Sequence, residues 1–552
     1  MLDCQQDVLF FTKQLVEIES VVNTEGERAV ADALYAMMSA WSYFQQHPDR
    51  IRKEKTLDDH RDRYNVLAYI RGEKAQSDRT VVLTGHLDTV DIDDYGRARP
   101  YACRPDQLAE ALKEELLPPE VQQHLQSGEW LFGRGALDMK GGVASHMYMM
   151  KYYAEHPEEL AGNLVFVAVV DEEDSSHGML SAIETLHAWK REHRFDYIAA
   201  VNAEFVSPAY EGDSNRYIYK GTVGKLLPAC YVTGVETHVG SCFEGVDPNF
   251  ILSELTRQLS YNPALCDEKH GERTLPPVSL KQSDLKPFYT VQTALSAFAY
   301  YNMFVHSWSP STVLSLLKEQ AHLAMEQAMA TFQNKYQAYC AAIGEAFREL
   351  PWQPEVWTYQ ELHQHLLQEY GERYAQHMEQ WKEQLLYEEE LDVRMYAVRV
   401  VEEACKWRSS RQPAIVLFYA SLYSPASTLD DNDERERELN RALEAAISEV
   451  QPFYAQPIVT RAFFPYISDM SFLRLTDDEE AIAAACANNP SWGKKHWIDY
   501  DSIRLLNIPV INIGPYGRDA HKMYERMEVK YSADIVPNLI HQVIERLIGM
   551  PK

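Results

Sequence analysis

Leu164-Val165-Phe166-Val167-Ala168-Val169-Val170 is an unbroken apolar, largely β-branched run that stops abruptly at Asp171-Glu172-Glu173-Asp174. A strand with one wet face alternates apolar and polar residues. A run without alternation is the mark of a strand buried on both faces, as in sheets covered by helices. The surrounding chain agrees with that reading. Residues 6–19 have helical apolar spacing, and Thr24-Glu25-Gly26-Glu27 resembles a capping box opening a second helix to Tyr43. Strands are expected over 65–70 and 80–85. An acidic, proline-containing connection then runs to about 129, and a helix continues from Gly141 to His156. A helix over 178–193 leads to a strand over 197–201. Strands alternating with helices in this way predict an α/β fold with a mixed, largely parallel sheet.

From Tyr217 the texture changes. Residues 217–234 and 290–306 read as longer antiparallel strands with an amphipathic helix over 248–260 between them. A helical tract over about 310–411 follows, broken near Pro351–Pro354, and 413–420 is a further strand. The acidic 430–438 run reads as a hinge or as the start of a helix to Val450. Short strands resume over 457–464, 467–469 and 508–514. The expected organisation is one catalytic domain, residues 1–213 and 428–552, interrupted over 214–427 by an inserted α+β lid domain that carries the extra helical tract. A chain of 552 residues is in any case too long for a single core.

A formal charge of −29 argues against nucleic acid or an anionic membrane as partner, since both require a basic footprint. No apolar run reaches membrane-spanning length and the first residues lack a signal-peptide pattern. The eight cysteines are scattered and form no CxxC pair, which points to reduced thiols in a cytoplasmic protein.

Chemistry-bearing residues gather where strands end, the usual place for function in α/β sheets. Val81–Thr84 leads into Gly85-His86-Leu87-Asp88, whose two polar residues share a face in an extended strand. Asp138 sits in Gly133-Arg134-Gly135-Ala136-Leu137-Asp138-Met139-Lys140-Gly141-Gly142. The Glu172–Glu173 pair ends the run described first. Glu204 follows the 197–201 strand, and His521 closes Gly514-Pro515-Tyr516-Gly517-Arg518-Asp519-Ala520-His521. Taken singly, each has an ordinary structural reading. Together, two histidines and several carboxylates make a nitrogen–oxygen donor set suited to two zinc ions rather than a thiolate site. Adjacent glutamates also let one bind metal while its neighbour remains a base.

These motifs, with Gly234-Val235-Glu236-Thr237-His238-Val239-Gly240, resemble the co-catalytic zinc peptidase family. That family contains glutamate carboxypeptidases, acetylornithine deacetylase, succinyl-diaminopimelate desuccinylase and aminoacylases. The helical insert and the phrases Phe463–Met470 and Thr237–Gly245 more closely resemble its RocB-like arginine-utilisation branch. The resemblance implies that His86 binds one zinc, Asp138 bridges, and Glu173 and His521 hold the second. It makes Asp88 the residue that orients His86, Glu172 the general base, and His238 an oxyanion-stabilising group, supplied in dimeric relatives by the neighbouring subunit. It also implies a cis peptide bond between Asp138 and Met139. One ligand departs from the pattern: spacing from Asp196 puts Asn202 where a glutamate is usual, and Glu204 falls two residues later. Glu204 is expected because a carboxylate is the better ligand. Relatives that cleave beside a free carboxylate usually carry an arginine on an inserted-domain strand, and Ser296–His306 has none. Lys225 or Arg518 then remains for that task, or the substrate lacks the carboxylate.

The expected protein is therefore a two-zinc amidohydrolase, peptidase or deacylase, with cobalt or manganese able to occupy the same ligands. Its substrate would be a small N-acyl amino acid or short peptide, within arginine or amino-acid catabolism. It would be a homodimer, or a monomer whose insert replaces the partner. The rival readings are a catalytically weak or inactive relative serving as a binding or interaction protein, and an aminopeptidase with a similar metal pair.

Overall fold

A computed structural model of the chain describes residues 1–388 and 391–549, so residues 389–390 of the expected helical tract lie outside the described residues. Two compact units result: Met1–Thr222 with Ser427–Leu475 and Asp499–Lys552, and Val223–Ala426 with Thr476–Ile498.

The first unit is built on an eight-stranded sheet. Its strands in the first part of the chain are β1 (Ile51–Lys55), β2 (Tyr64–Arg71), β3 (Arg79–His86), β5 (Asn163–Val169), β6 (Asp196–Asn202) and β7 (Arg216–Tyr219). Trp130–Phe132, β4, belongs to a separate small sheet. The later strands are β8 (Ile458–Arg461) and β9 (Val510–Asn512). The order is β1-β2-β5-β3-β6-β9-β7-β8. β5, β3, β6 and β9 run parallel in the middle, with antiparallel pairs at β1/β2, β2/β5 and β9/β7. Every residue of β3 and β5 is buried, so both faces are covered, as the unalternating run of β5 requires. Helices Gly141–Glu155 and Val536–Ile548 pack on β3, and Glu25–Ser39 and His177–His193 pack on β2. Because the four central strands are parallel, their carboxyl ends lie side by side at one edge. A three-stranded antiparallel sheet, β10 (Gly517–Arg518), β11 (Arg526–Glu528) and β4, stands apart from it.

The second unit has a sheet in the order Val278–Asp284, Ser296–Val305, Pro228–Thr233, Ala414–Tyr419, Glu355–Thr358. Helices Tyr359–Tyr370, Glu372–Leu386 and Val393–Lys406 bury one face of it, through Leu362, Tyr374, Met378 and Val400 against Ala229, Tyr231, Phe298 and Phe418. Helices Pro248–Leu259 and Pro310–Ile343 pack against each other.

Several boundaries differ from the sequence reading. The first unit continues past residue 213 to Thr222, because β7 pairs with β8 and β9 in the large sheet. Residues 476–498 join the second unit, where the Asn488 carbonyl accepts the Tyr419 N–H (2.8 Å) and the Asn489 amide donates to the Ser421 carbonyl (2.9 Å). The 310–411 tract is not wholly helical: Glu355–Thr358 adds a parallel strand beside Ala414–Tyr419. The long 217–234 strand is broken into Arg216–Tyr219, Gly221–Thr222, Gly224–Leu226 and Pro228–Thr233. Glu25–Ser39 stops before Tyr43, and its capping box is incomplete: Thr24 accepts from Gly26, but Glu27 is taken by Arg63 and by the Asn23 N–H. The acidic 430–438 run is a helix start, with Asp433 capping Glu434–Val450. The connection before residue 129 is folded, with Tyr95, Ala98, Leu108, Leu112 and Val121 clustered on Phe132.

Candidate metal centre

At the carboxyl edge of the central strands, β3 delivers His86 as its last residue. Its Nε2 lies 3.2 Å from Asp138 Oδ1, 3.7 Å from Glu204 and 3.9 Å from Glu172. The other oxygen of Asp138, Oδ2, is 2.9 Å from His521 Nε2, which is also 2.9 Å from Glu173 Oε1. One carboxylate thus faces one imidazole with each of its oxygens. His86 and Glu204 flank it on one side, and His521 and Glu173 on the other. The Asp138–Met139 peptide bond is cis.

These spacings suit cations. Ligand bonds of about 2.0–2.2 Å at tetrahedral angles separate the donor atoms by roughly 3.4 Å. The donor atoms of His86, Glu172 and Glu204, and likewise those of His86, Asp138 and Glu173, lie within 4.8 Å of one another. The charge pattern agrees. Burial would depress His86, yet Asp138, Glu204 and Glu172 hold it well above its ordinary value. Burial opposes protonation of His521 too, and Asp138 and Glu173 override it, pushing it up to about 11. Glu172 and Glu204 are pushed well above the carboxylate range by burial and by neighbouring acids. So much buried negative charge calls for cations, and metal entry would displace protons from these groups.

The surroundings fix each group. Glu204 stands two residues past the end of β6, and Asn512 at the end of β9 clasps its backbone. The Asn512 side-chain oxygen Oδ1 accepts the Glu204 N–H at 2.7 Å, and its Nδ2 donates to the Glu204 carbonyl at 2.8 Å. Gly514 permits this approach, since a Cβ there would lie 1.9 Å from that carbonyl oxygen. Asn202 is the last residue of β6 and is buried, while the Glu204 carboxylate is the one that reaches His86. Asp88 is fully buried, but its contact with the His86 ring is made by its backbone carbonyl, 3.0 Å from Nδ1. Its carboxylate is 3.7 Å away and accepts the Glu173 N–H at 3.0 Å instead. The expected carboxylate–imidazole bond is therefore replaced by a bond that steadies the glutamate turn.

That turn begins at Asp171, in the left-handed region at φ 68°. Asp171 is paired with buried Arg63 at 2.8 Å and with His177 at 2.6 Å. Opposite, Glu525 takes the backbone N–H groups of Leu137 and Asp138 at 3.1 and 3.2 Å, and its other oxygen binds Arg134 at 2.8 Å. Glu525, Asn512, Arg63 and Asp469 are not among the site residues expected from the sequence. Asp469, in the Phe463–Met470 phrase already singled out, is a buried carboxylate pushed up to about 7 by burial, within electrostatic reach of His86 and Glu172.

His238 belongs to the second unit, is exposed, and accepts the Gly240 N–H at Nδ1 (3.0 Å). Arg518 is paired with Glu120 at 3.3 Å. Among the described residues no helix is long and apolar enough to cross a membrane.

The sequence pattern of peptidase family M20/M25/M40 matches residues 82–504. Protein RocB of Bacillus subtilis (strain 168) is 35% identical over 541 residues, covering 97% of this chain and 94% of that protein. The uncharacterized protein YqjN of the same organism is 32% identical, covering 99% and 97%. An M20 family metallo-carboxypeptidase from Sulfolobus solfataricus shares the fold, with a TM-score of 0.53 at 12% identity, over 99% of this chain and all of that one.

Proposed function

This chain belongs to peptidase family M20/M25/M40 and is a metal-dependent hydrolase, and from that premise we propose a two-zinc enzyme that cleaves the amide bond of a small N-acyl amino acid or short peptide. One observation carries the reading: Asp138 turns one oxygen to His86 and the other to His521. That is the arrangement a bridging ligand needs. His86 and Glu204 would complete one position, and Glu173 and His521 the other.

When bound, the ions supply Lewis acidity, activating water and polarising the amide carbonyl. The protein's own part falls first to Glu172. It sits beside His86 and Glu204, and burial keeps it a strong base. It takes the proton of the attacking water and returns it to the departing nitrogen. Asp88 keeps the glutamate turn in place through the Glu173 N–H. In the proposed homodimer a neighbouring subunit's His238 would donate to the oxygen that becomes negative in the tetrahedral species, as the resemblance implies.

The arginine-utilisation resemblance points to amino-acid catabolism, and the eight unpaired cysteines favour the cytoplasm. A homodimer is the proposed assembly. It is supported by the edge strand Val278–Asp284 of the second unit and by exposed Leu280, Phe288 and Tyr289 nearby in sequence. Lys225 and Arg518, the latter paired with Glu120, both stay candidates for binding a substrate carboxylate.

Glu172→Ala tests the core of the reading. A screen of N-acyl amino acids and dipeptides should show turnover by the natural chain and a loss of about 10²–10⁴-fold or more in the variant, with metal content unchanged near two per chain. Loss of metal together with activity would exchange the roles of Glu172 and Glu173.

A further inference from the structure

Arg526 has no exposed surface, although it lies only five residues beyond His521. The loop from β10 to β11 that presents His521 contains two non-glycine residues in the left-handed region, Asp519 at φ 59° and His521 at φ 63°. Each such residue is conformationally strained and persists only where its surroundings over-determine it. Within the loop, the Lys522 N–H bonds the Asp519 carbonyl at 3.0 Å and the Glu525 N–H bonds the Lys522 carbonyl at 2.9 Å. Arg526 closes it from outside. One arm of its guanidinium donates both to the Asp519 carboxylate, at the loop's start, and to the Tyr524 carbonyl, at its end.

The guanidinium is itself anchored. Its Nε donates to His124 Nδ1 at 2.8 Å, and Nη2 meets Glu120 at 3.2 Å, both on helix Pro119–Ser127. It lies 5.7 Å from the Trp130 ring and 5.9 Å from the Phe132 ring, and His124 stacks on Trp130 at 3.9 Å. A planar fork with several fixed donors suits these acceptors, and the single head of a lysine does not. Among the described residues, none of the groups bonded to Arg526 bonds to His86 or Glu204.

We infer that Arg526 is the positioning residue of His521: by stapling Asp519 to Tyr524 it holds the imidazole against Asp138 and Glu173. Occupancy of the second metal position then depends on it, and occupancy of the first does not. This rests on the two-metal reading above.

The test titrates the full-length metal-free chain with Co²⁺ alone, following visible absorption and counting bound metal after desalting. It compares the natural chain with Arg526→Ala, Arg526→Lys and Asp519→Asn. The natural chain should take up two ions. Both Arg526→Ala and Asp519→Asn should keep the first at natural affinity and bind the second on the order of 10- to 100-fold more weakly, with Arg526→Lys in between. A merely structural role would not change the ratio of the two affinities. Two ions bound at natural affinity in the variants, or both weakened equally, overturns the inference. Asp519→Asn keeps the guanidinium in place, so it decides the matter even if Arg526→Ala fails to fold. One ion or none in the natural chain would instead sink the two-metal reading, and this inference with it.

Discussion

The two halves of the candidate centre are built by different means. His86 and Glu204 are almost wholly buried and stand at or just past the ends of central parallel strands. Their places follow from sheet register and from one amide, Asn512, that grips the backbone of Glu204. Glu173 and His521 sit on connections, and the His521 side chain is 45% exposed. Each is preceded by an aspartate in the left-handed region, Asp171 or Asp519, and each aspartate is held by a buried arginine, Arg63 or Arg526. A sheet edge thus places one pair of ligands through backbone geometry, while the other pair needs side-chain staples. The first half should therefore fail through its ligands and the one amide that clasps Glu204, and the second also through buried arginines that never touch the metal.

The sharpest break in that contrast is Glu204→Ala beside Asn202→Ala. The former should leave one ion per chain and no measurable hydrolysis, while the latter should keep both ions and most of the activity. Metal counting with a turnover assay reads both, and the reverse pattern would make Asn202 the ligand. Arg63→Met comes next in size. It leaves Glu27, Asp59 and Asp171 facing one another without their shared counter-charge, which should cost about 3–5 kcal/mol in urea unfolding of the metal-free chain. A loss below about 1 kcal/mol would show that the staple is dispensable.

Asn512→Ala tests the first half from behind. It strands the Glu204 N–H and carbonyl in a buried place, at about 1–3 kcal/mol each, and should weaken the first ion rather than the second. Cobalt titration separates the two, and preferential loss of the second ion would contradict the assignment.

The smallest effect is a pH dependence. Burial, with Arg526 nearby, lowers His124 from its usual 6.5 to about 4. A lowered histidine value means that the unfolded chain binds more protons between those limits. Its contribution to stability is therefore complete above pH 6.5 and is lost as pH falls towards 4. In melting curves across that range the natural chain should lose stability more steeply than His124→Gln. Parallel slopes would remove His124 from the staple.

Much of the fold was legible because burial leaves a pattern in composition. The unalternating run before Glu172 is a central strand, and His86, Asp138, Glu173, Glu204 and His521, expected at strand ends and loops, lie together. Ligand chemistry favours Glu204 over Asn202, and the Asn512 clasp on the Glu204 backbone joins residues 308 positions apart that no local pattern links. The extent of the first unit was misjudged because β7 is a short strand whose partners, β8 and β9, lie more than 200 residues away in the chain. Asp88 shows a subtler limit. Spacing brought it near His86, but only the turn of the backbone decides that its carbonyl, and not its carboxylate, meets the ring. Arg63, Glu525 and Arg526 were invisible for a related reason, since an arginine or glutamate in a polar loop looks the same whether it is solvated or locked in a buried network.

Anomalous diffraction from zinc-loaded crystals tests the two-metal centre most directly. Two peaks are expected at full occupancy, one on each side of Asp138, the first contacted by His86 and Glu204 and the second by Glu173 and His521. A single peak, or a second peak away from His521, would contradict the bridging role of Asp138.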